Sequence, residues 1–331
     1  MSDQDSYGES SEVNWQLGST TVYGTLVRPF GPGPFPAVVM VAGSGPTDRD
    51  WNSPLLPGSN GSARLIAGAL ARAGIASLRY DKRGIGPHAR ENMQALIGKV
   101  SMQSFADELA GAVRTMANQA YMRSDRIFAL ANSEGTLHAL NYQLHSPAIP
   151  FAGLVLTGPP GRAVGTVARS QLAAQASGIP NGDALLALYD AAIVRFLKGV
   201  PTAPDPLLPE GVQMLLKSLE TPANLPFARE LWMADAAPLL RQVDVPGLVI
   251  IGKKDIQIDW QTDGELLKLA AAGHEEVTFL FPENANHVLK QELRPREDVV
   301  PAESAGSYNG PDTRLDPQTL ASMLEWLAAH A

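Results

Sequence analysis

Short runs of apolar, β-branched residues recur along this chain with helix-length stretches between them. No other feature narrows the fold as much. Residues 36–42 (PAVVMVA), 74–80 (GIASLRY), 125–131 (DRIFALA), 151–157 (FAGLVLT), 245–252 (VPGLVIIG) and 276–281 (EVTFLF) each read as a strand. Strands that are apolar on both faces are buried on both, as in a parallel sheet covered by helices. The intervening stretches supply the helices: alanine-rich 62–73, then 134–145, 262–272 and 316–330. A further helix is read over 104–119, with Ser104 as its N-cap and Asp107 three residues on. Ahead of the sheet, 13–17 and 21–28 read as an antiparallel hairpin turning at Gly18-Ser19. The expected class is α/β, a mostly parallel, doubly wound sheet of about eight strands.

The rhythm breaks once. Residues 158–234 hold no convincing strand, cluster Leu185, Leu186, Leu188, Ile193, Phe196 and Leu197, and are punctuated by Pro201, Pro204, Pro206 and Pro209. This segment reads as a helical cap inserted into the core. The expected organisation is therefore a core from 1 to 157 with a polar tail over about 1–10, a cap over 158–234, and the rest of the core over 235–331. A polar loop is read over 291–314, and one that long is expected to be either functional, closing over the site, or partly disordered.

Composition limits the partners. The 331 residues are 45% hydrophobic and 18% charged, enough apolar content for a sizeable core. A net charge of −8 disfavours phosphate backbones and anionic lipid surfaces, so neither nucleic acid nor membrane is an expected partner. With no cysteine, disulfides, thiolate metal sites and a thiol nucleophile are all excluded. The first twelve residues are polar and acidic, without the basic and apolar regions of a signal peptide, and the expectation is a cytoplasmic protein.

Chemistry enters at the end of the 125–131 strand, which runs into Asn132-Ser133-Glu134-Gly135 and then a helix. A serine at the apex of a strand–turn–helix is presented at the strand's carboxyl end, above a helix N-terminus that favours negative charge. The flanking positions, two before and two after, must be small, and they are Ala131 and Gly135. A plain helix-capping serine would read similarly. The segment resembles the nucleophile elbow, Gly-x-Ser-x-Gly, of the α/β-hydrolases. Ala131 departs from it, and Asn132 stands where many relatives carry histidine.

That resemblance implies a serine nucleophile, Ser133, followed in the chain by an acid and then a histidine. Of the six histidines, which include His88, four are poorly placed: His138 and His145 on the helix after the elbow, His274 closing a later helix and His330 at the chain end. His287, in the loop after strand 276–281, stands where the family places its base. The family's acid follows the penultimate strand as Gly-x-x-Asp, here Gly252-Lys253-Lys254-Asp255. Asp259 is an alternative that reads better as a helix cap. Lys253 and Lys254 would keep Asp255 ionised, or be simple solvated charges. The oxyanion donors would be the backbone N–H groups of Glu134 and of Ser44, with Gly43 as an alternative, in the loop Ala42-Gly43-Ser44-Gly45. The turn Asp81-Lys82-Arg83-Gly84-Ile85-Gly86 resembles the family's Asp-x-Arg-Gly-x-Gly turn, a structural element there.

Taken over residues 10–331, these motifs look like the bacterial esterase and S33-type serine-aminopeptidase branch. The resemblance implies hydrolysis of a small-molecule carboxylic ester through an acyl-enzyme, with no cofactor and no metal. Two alternatives stay open: a thioesterase or aminopeptidase with the same triad, or a non-catalytic hydrolase-like binding protein. An aminopeptidase needs an acid in the cap to hold the substrate ammonium, and Asp183, Asp190, Glu210 and Glu220 are candidates. Trp232, Trp260, Phe196 and Met233 would line a pocket or, more simply, fill core.

Overall fold

The computed structural model describes residues 8–145 and 147–331; most of the polar N-terminal tail lies outside them. Eight strands form one sheet: β1 (Gly8–Leu17), β2 (Thr20–Pro29), β3 (Phe35–Val41), β4 (Ala76–Tyr80), β5 (Met122–Asn132), β6 (Gly153–Thr157), β7 (Gly247–Ile250) and β8 (Val277–Leu280). Their order is β1-β2-β4-β3-β5-β6-β7-β8. β1 and β2 form an antiparallel hairpin, β2 meets β4 antiparallel, and every later pairing is parallel. The expected α/β class and mostly parallel sheet are thus what the chain adopts.

Among the described residues, twelve α-helices accompany the sheet: α1 (Ser62–Arg72), α2 (Ala89–Leu96), α3 (Met102–Ala117), α4 (Glu134–Leu144), α5 (Val164–Ala176), α6 (Gly182–Leu197), α7 (Glu210–Leu219), α8 (Phe227–Met233), α9 (Ala237–Leu240), α10 (Thr262–Ala270), α11 (Ser304–Asn309) and α12 (Pro317–His330). The alternation along β3 shows why the sheet needs both layers. Val38 and Met40 pack with Ile66 and Leu70 of α1 and Met323 and Leu327 of α12 on one face. Val39 and Val41 pack with Leu109 and Val113 of α3 and Leu137 and Leu140 of α4 on the other. Both layers bury strand residues, so the strands read as continuous apolar runs.

Three expectations are corrected. The helix read over 104–119 starts earlier, at Met102, with Ser101 as the N-cap. Ser104 is its partner: Ser104 N–H donates to Ser101 Oγ at 3.3 Å and Ser101 N–H to Ser104 Oγ at 3.1 Å. Two serines three apart make either one look like the cap. The 8-residue α2, polar on average with only Asn92 and Leu96 buried, was not expected. The 291–314 segment is not an open loop. It pairs Ala285 with Gln291 and Lys290 with Leu315 at its base, and folds into short 3₁₀ turns and α11.

Between β6 and β7 come α5 to α8, whose inward residues Tyr189, Phe196, Leu216 and Trp232 build an apolar cluster of their own. Among the described residues, no helix is long and apolar enough to cross a membrane.

Candidate active site

β5 ends at Asn132 and α4 begins at Glu134, leaving Ser133 alone at the turn with φ 53° and ψ −124°. A non-glycine residue there is strained by about 1–3 kcal/mol and persists only where its surroundings hold it. They do. Ser133 N–H donates to Thr157 O at 2.8 Å, and its carbonyl accepts from Thr136 N–H at 3.0 Å and from the Thr136 hydroxyl at 2.6 Å. Two residues on, a Cβ on Gly135 would lie 2.6 Å from Val41 O and 2.7 Å from Ala42 O. Glycine at that position therefore lets α4 press against the end of β3.

Asp255 follows β7 and His287 follows β8, and the structure joins them: Asp255 Oδ2 lies 2.8 Å from His287 Nδ1. The carboxylate is 1% exposed and the imidazole 5%. Asp255 Oδ1 is held from behind by the N–H groups of Gln257 at 2.7 Å and Ile258 at 2.9 Å. The two loops are zipped together, with Lys253 N–H donating to Pro282 O and Lys254 N–H to Ala285 O. Asn132 completes the link. Its amide donates to His287 O and to Thr157 Oγ1, each at 3.1 Å. The residue beside Ser133 thus fixes the backbone of the histidine loop.

Ser133, Asn132, His287, Gly43 and Ser44 line one cavity of about 320 Å³, closed by Trp51, Leu55, Leu56, Tyr308 and Asn309. Among the described residues no hydrogen bond joins Ser133 to His287; such bonds often tighten only with substrate bound. Ser44 N–H has no protein acceptor among the described residues. Glu134 N–H is in the first turn of α4, where helical donors lack internal partners.

Other sequence expectations resolve differently. Lys253 does not accompany Asp255; it pairs with Glu283 at 2.7 Å. Asp259 is not the N-cap of α10, which is Gln261, but it accepts from Thr262 N–H of the first turn at 2.7 Å and pairs with Arg296; among the described residues no hydrogen bond joins it to His287. Phe196 and Trp232 are core of the α5–α8 cluster, Trp260 packs on Phe281, and Met233 is exposed. None of these aromatic or Met side chains lines the Ser133 cavity. Tyr308 and Asn309, which do, come from the segment that looked like a loop.

Three contributors escaped sequence reasoning. Gly158 sits so close to His287 that a Cβ there would lie 3.1 Å from its Cε1. Asp81 accepts from Arg49 N–H at 2.8 Å and from its guanidinium at 2.8 and 3.0 Å, tying the 42–50 loop to the turn after β4. Lys82 reaches Gly43 O at 2.6 Å and Glu134 Oε1 at 2.8 Å. The only sequence signal for the last was a lysine and a glutamate 52 residues apart at the ends of two predicted strands.

Burial pushes the Glu134 carboxyl up, but the Lys82 charge and the His138 Nε2 bond at 3.1 Å outweigh it and hold it down at about 2. Burial lowers His138 and favours its neutral form. The folded-state value of Glu134 is below its ordinary 4.5, so the unfolded chain binds the proton first as pH falls. Its stabilisation is complete above about 4.5 and is lost as pH falls to about 2, roughly 3 kcal/mol in all. Urea unfolding between pH 5 and 2.5 should therefore show a shallower acid-side loss in Glu134→Gln than in the parent; equal slopes would refute it.

Residues 59–179, which include Ser133 but neither Asp255 nor His287, match a family model described as serine aminopeptidase, S33. Esterase EstD of Thermotoga maritima is 29% identical over 267 residues, 80% of this chain and 57% of that protein. The chain thus spans a little over half the length of that curated relative. An esterase of Pyrococcus furiosus superposes with a TM-score of 0.58 at 16% identity, covering 99% of this chain and 94% of that one. VinJ superposes with the same TM-score at 14% identity, covering 97% and 99%. The chain has the α/β-hydrolase fold, and in sequence it is similar to the serine-aminopeptidase family model over residues 59–179 and to an esterase at 29% identity.

Proposed function

We propose that this protein is a serine hydrolase that cleaves small, uncharged carboxylic esters. Ser133 Oγ attacks the ester carbonyl while His287 Nε2 takes its proton, and the same nitrogen returns the proton to the leaving alcohol. Asp255 holds Nδ1–H, fixes the tautomer and stabilises the imidazolium. The N–H groups of Ser44 and Glu134, with Gly43 N–H as the alternative to Ser44, receive the negative charge of the tetrahedral intermediate. Water activated by His287 then releases the acid.

The observation that carries the choice of substrate is the lining of the cavity. Among the described residues, none of those lining it is Asp, Glu, Lys or Arg. An aminopeptidase must bind an ammonium, and a buried cation without a partner is costly. The four acids that were candidates for that task are not at the cavity: Asp190 pairs with Arg169 at 2.7 Å and Glu220 accepts from Thr202, while Asp183 and Glu210 lie on α6 and α7 outside the lining.

Residues 158–234 act as a cap in this reading, but only at one wall. Gln171, Ala174 and Gln175 of α5 line a neighbouring cavity of about 730 Å³. That cavity and the Ser133 cavity share Gln257 and Tyr308, whose side chains are hydrogen-bonded at 3.2 Å. Acyl and alcohol selectivity are set at close range by lining residues within 46–60 and by Tyr308 and Asn309, and by the cap only across the Gln257–Tyr308 pair.

The test compares an ester, a thioester and an amino-acid anilide of matched acyl size, with an organophosphonate label in parallel. The expected result is labelling at Ser133 and a kcat/KM on the neutral ester about 10²-fold or more above that on the aminoacyl anilide. A folded protein that neither turns over ester nor labels would favour a binding protein instead.

A further inference from the structure

Lys82 is a lysine in an unusual place. It is 7% exposed, at the turn after β4, and its ammonium lies 2.6 Å from Gly43 O, 2.8 Å from Glu134 Oε1 and 5.2 Å from the centre of the Phe105 ring. Glu134 is 3% exposed, and its Oε1 is shared with His138 Nε2. Burying a charge pair is a poor route to stability, since apolar residues of similar volume do as well or better. What sets this pair apart is where its two ends attach.

Gly43 O and Ser44 N–H belong to one peptide group. That group is planar and trans, so its oxygen and its N–H point in opposite directions. A short charged hydrogen bond on the oxygen therefore fixes the direction of the N–H. The peptide lies where the loop leaves the core, with Gly43 buried and Ser44 and Gly45 exposed, so the Lys82 bond adds a fixed point at the last buried residue before the exposed, glycine-flanked turn. A cation on the oxygen also polarises the peptide and strengthens its N–H as a donor. The other end of the pair is the side chain of Glu134, the residue whose own N–H faces the same developing charge.

We propose that Lys82 is a positioning residue for the oxyanion hole, aligning the Ser44 N–H through the Gly43 carbonyl while the Glu134 carboxylate holds Lys82 in place. This rests on the reading of Ser133 as nucleophile with Ser44 and Glu134 as donors. Lys82 touches no substrate and moves no proton.

The experiment measures Lys82→Met, Lys82→Met/Glu134→Gln and Ser133→Ala on a short-chain nitrophenyl ester. It also measures the affinity of each folded Lys82 variant for a trifluoromethyl ketone, whose serine adduct carries the oxyanion. The single Lys82 variant leaves a buried carboxylate without its cation and loses stability; the double variant removes that charge and recovers part of it. The expected result is that kcat falls about 30-fold in both, less than deletion of a donor would cause, with KM within about twofold. Affinity for the ketone should fall by the same factor as kcat/KM. A purely structural role predicts that the double variant regains activity with stability, and wild-type kcat and ketone affinity there would overturn the proposal. Ser133→Ala separates the two levels. Full turnover in that variant overturns the nucleophile reading and this proposal together, whereas an inactive Ser133→Ala beside fully active Lys82 variants overturns this proposal alone.

Discussion

Ser133→Ala should lose at least about 10⁴-fold in ester turnover while remaining folded, because the attacking atom itself is removed and only the oxyanion donors and binding remain. The same position offers a second readout that does not depend on knowing the substrate. Ser133 sits at φ 53°, ψ −124°, and alanine, which keeps the Cβ, keeps the strain. Glycine does not. Ser133→Gly should be more stable than Ser133→Ala by about 1 kcal/mol, a rise of about 2 °C in Tm for a chain of this size. Strain at Ser133 is maintained by its surroundings, the Thr157 and Thr136 hydrogen bonds on either side of it. An alanine variant that keeps more than about 1% of turnover would remove Ser133 as the nucleophile. An alanine variant as stable as the glycine one would show that the turn is relaxed.

The sheet was legible because its strands are buried on both faces, which turns periodicity into unbroken apolar runs such as Val38 to Val41. The hairpin was legible from Gly18, and the elbow from a serine between Ala131 and Gly135. Boundaries were less so: Ser101 and Ser104 are chemically equivalent in the chain, and only the backbone decides which caps α3. What sequence could not supply were contacts between loops far apart in the chain. Asn132 on His287 O spans 155 residues and Asn309 on Pro57 O spans 252. Neither has a local pattern to give it away. The 291–314 segment looked like a loop because its order comes from such contacts, with Tyr308 and Asn309 at the end of the short α11 buried and bonded to distant loops. The Lys82–Glu134 pair was invisible for the same reason: each residue was placed at the end of its strand, but nothing in the chain says that those two ends face each other.

Gly158→Ala should lower kcat by about 10²-fold, an effect expected of a catalytic group displaced by a fraction of an ångström to 1 Å. Gly158 follows β6 with φ +56°, and its N–H donates to Ile250 O at 2.8 Å. A Cβ there would lie 3.1 Å from His287 Cε1, 3.2 Å from Nδ1 and 3.5 Å from Asp255 Oδ2. The imidazole has little room to yield: Asp255 holds its Nδ1 at 2.8 Å, and Asn132 holds the carbonyl of the same residue. Either the Asp255 bond lengthens or the ring turns away from Ser133, and both cost proton transfer. Alanine at a positive φ also destabilises the fold by about 1 kcal/mol, so a loss of activity needs a control for strain alone. Gly74 provides it, with φ +79° in the turn between α1 and β4 and nothing within 4 Å of its added Cβ. Gly74→Ala should lower Tm by a similar amount and leave kcat unchanged. If both variants lose activity in proportion to their stability, crowding of His287 is not the cause. If Gly158→Ala alone loses kcat, and its kcat–pH profile shifts relative to the parent while that of Gly74→Ala does not, the imidazole beside Gly158 is the group that carries the proton.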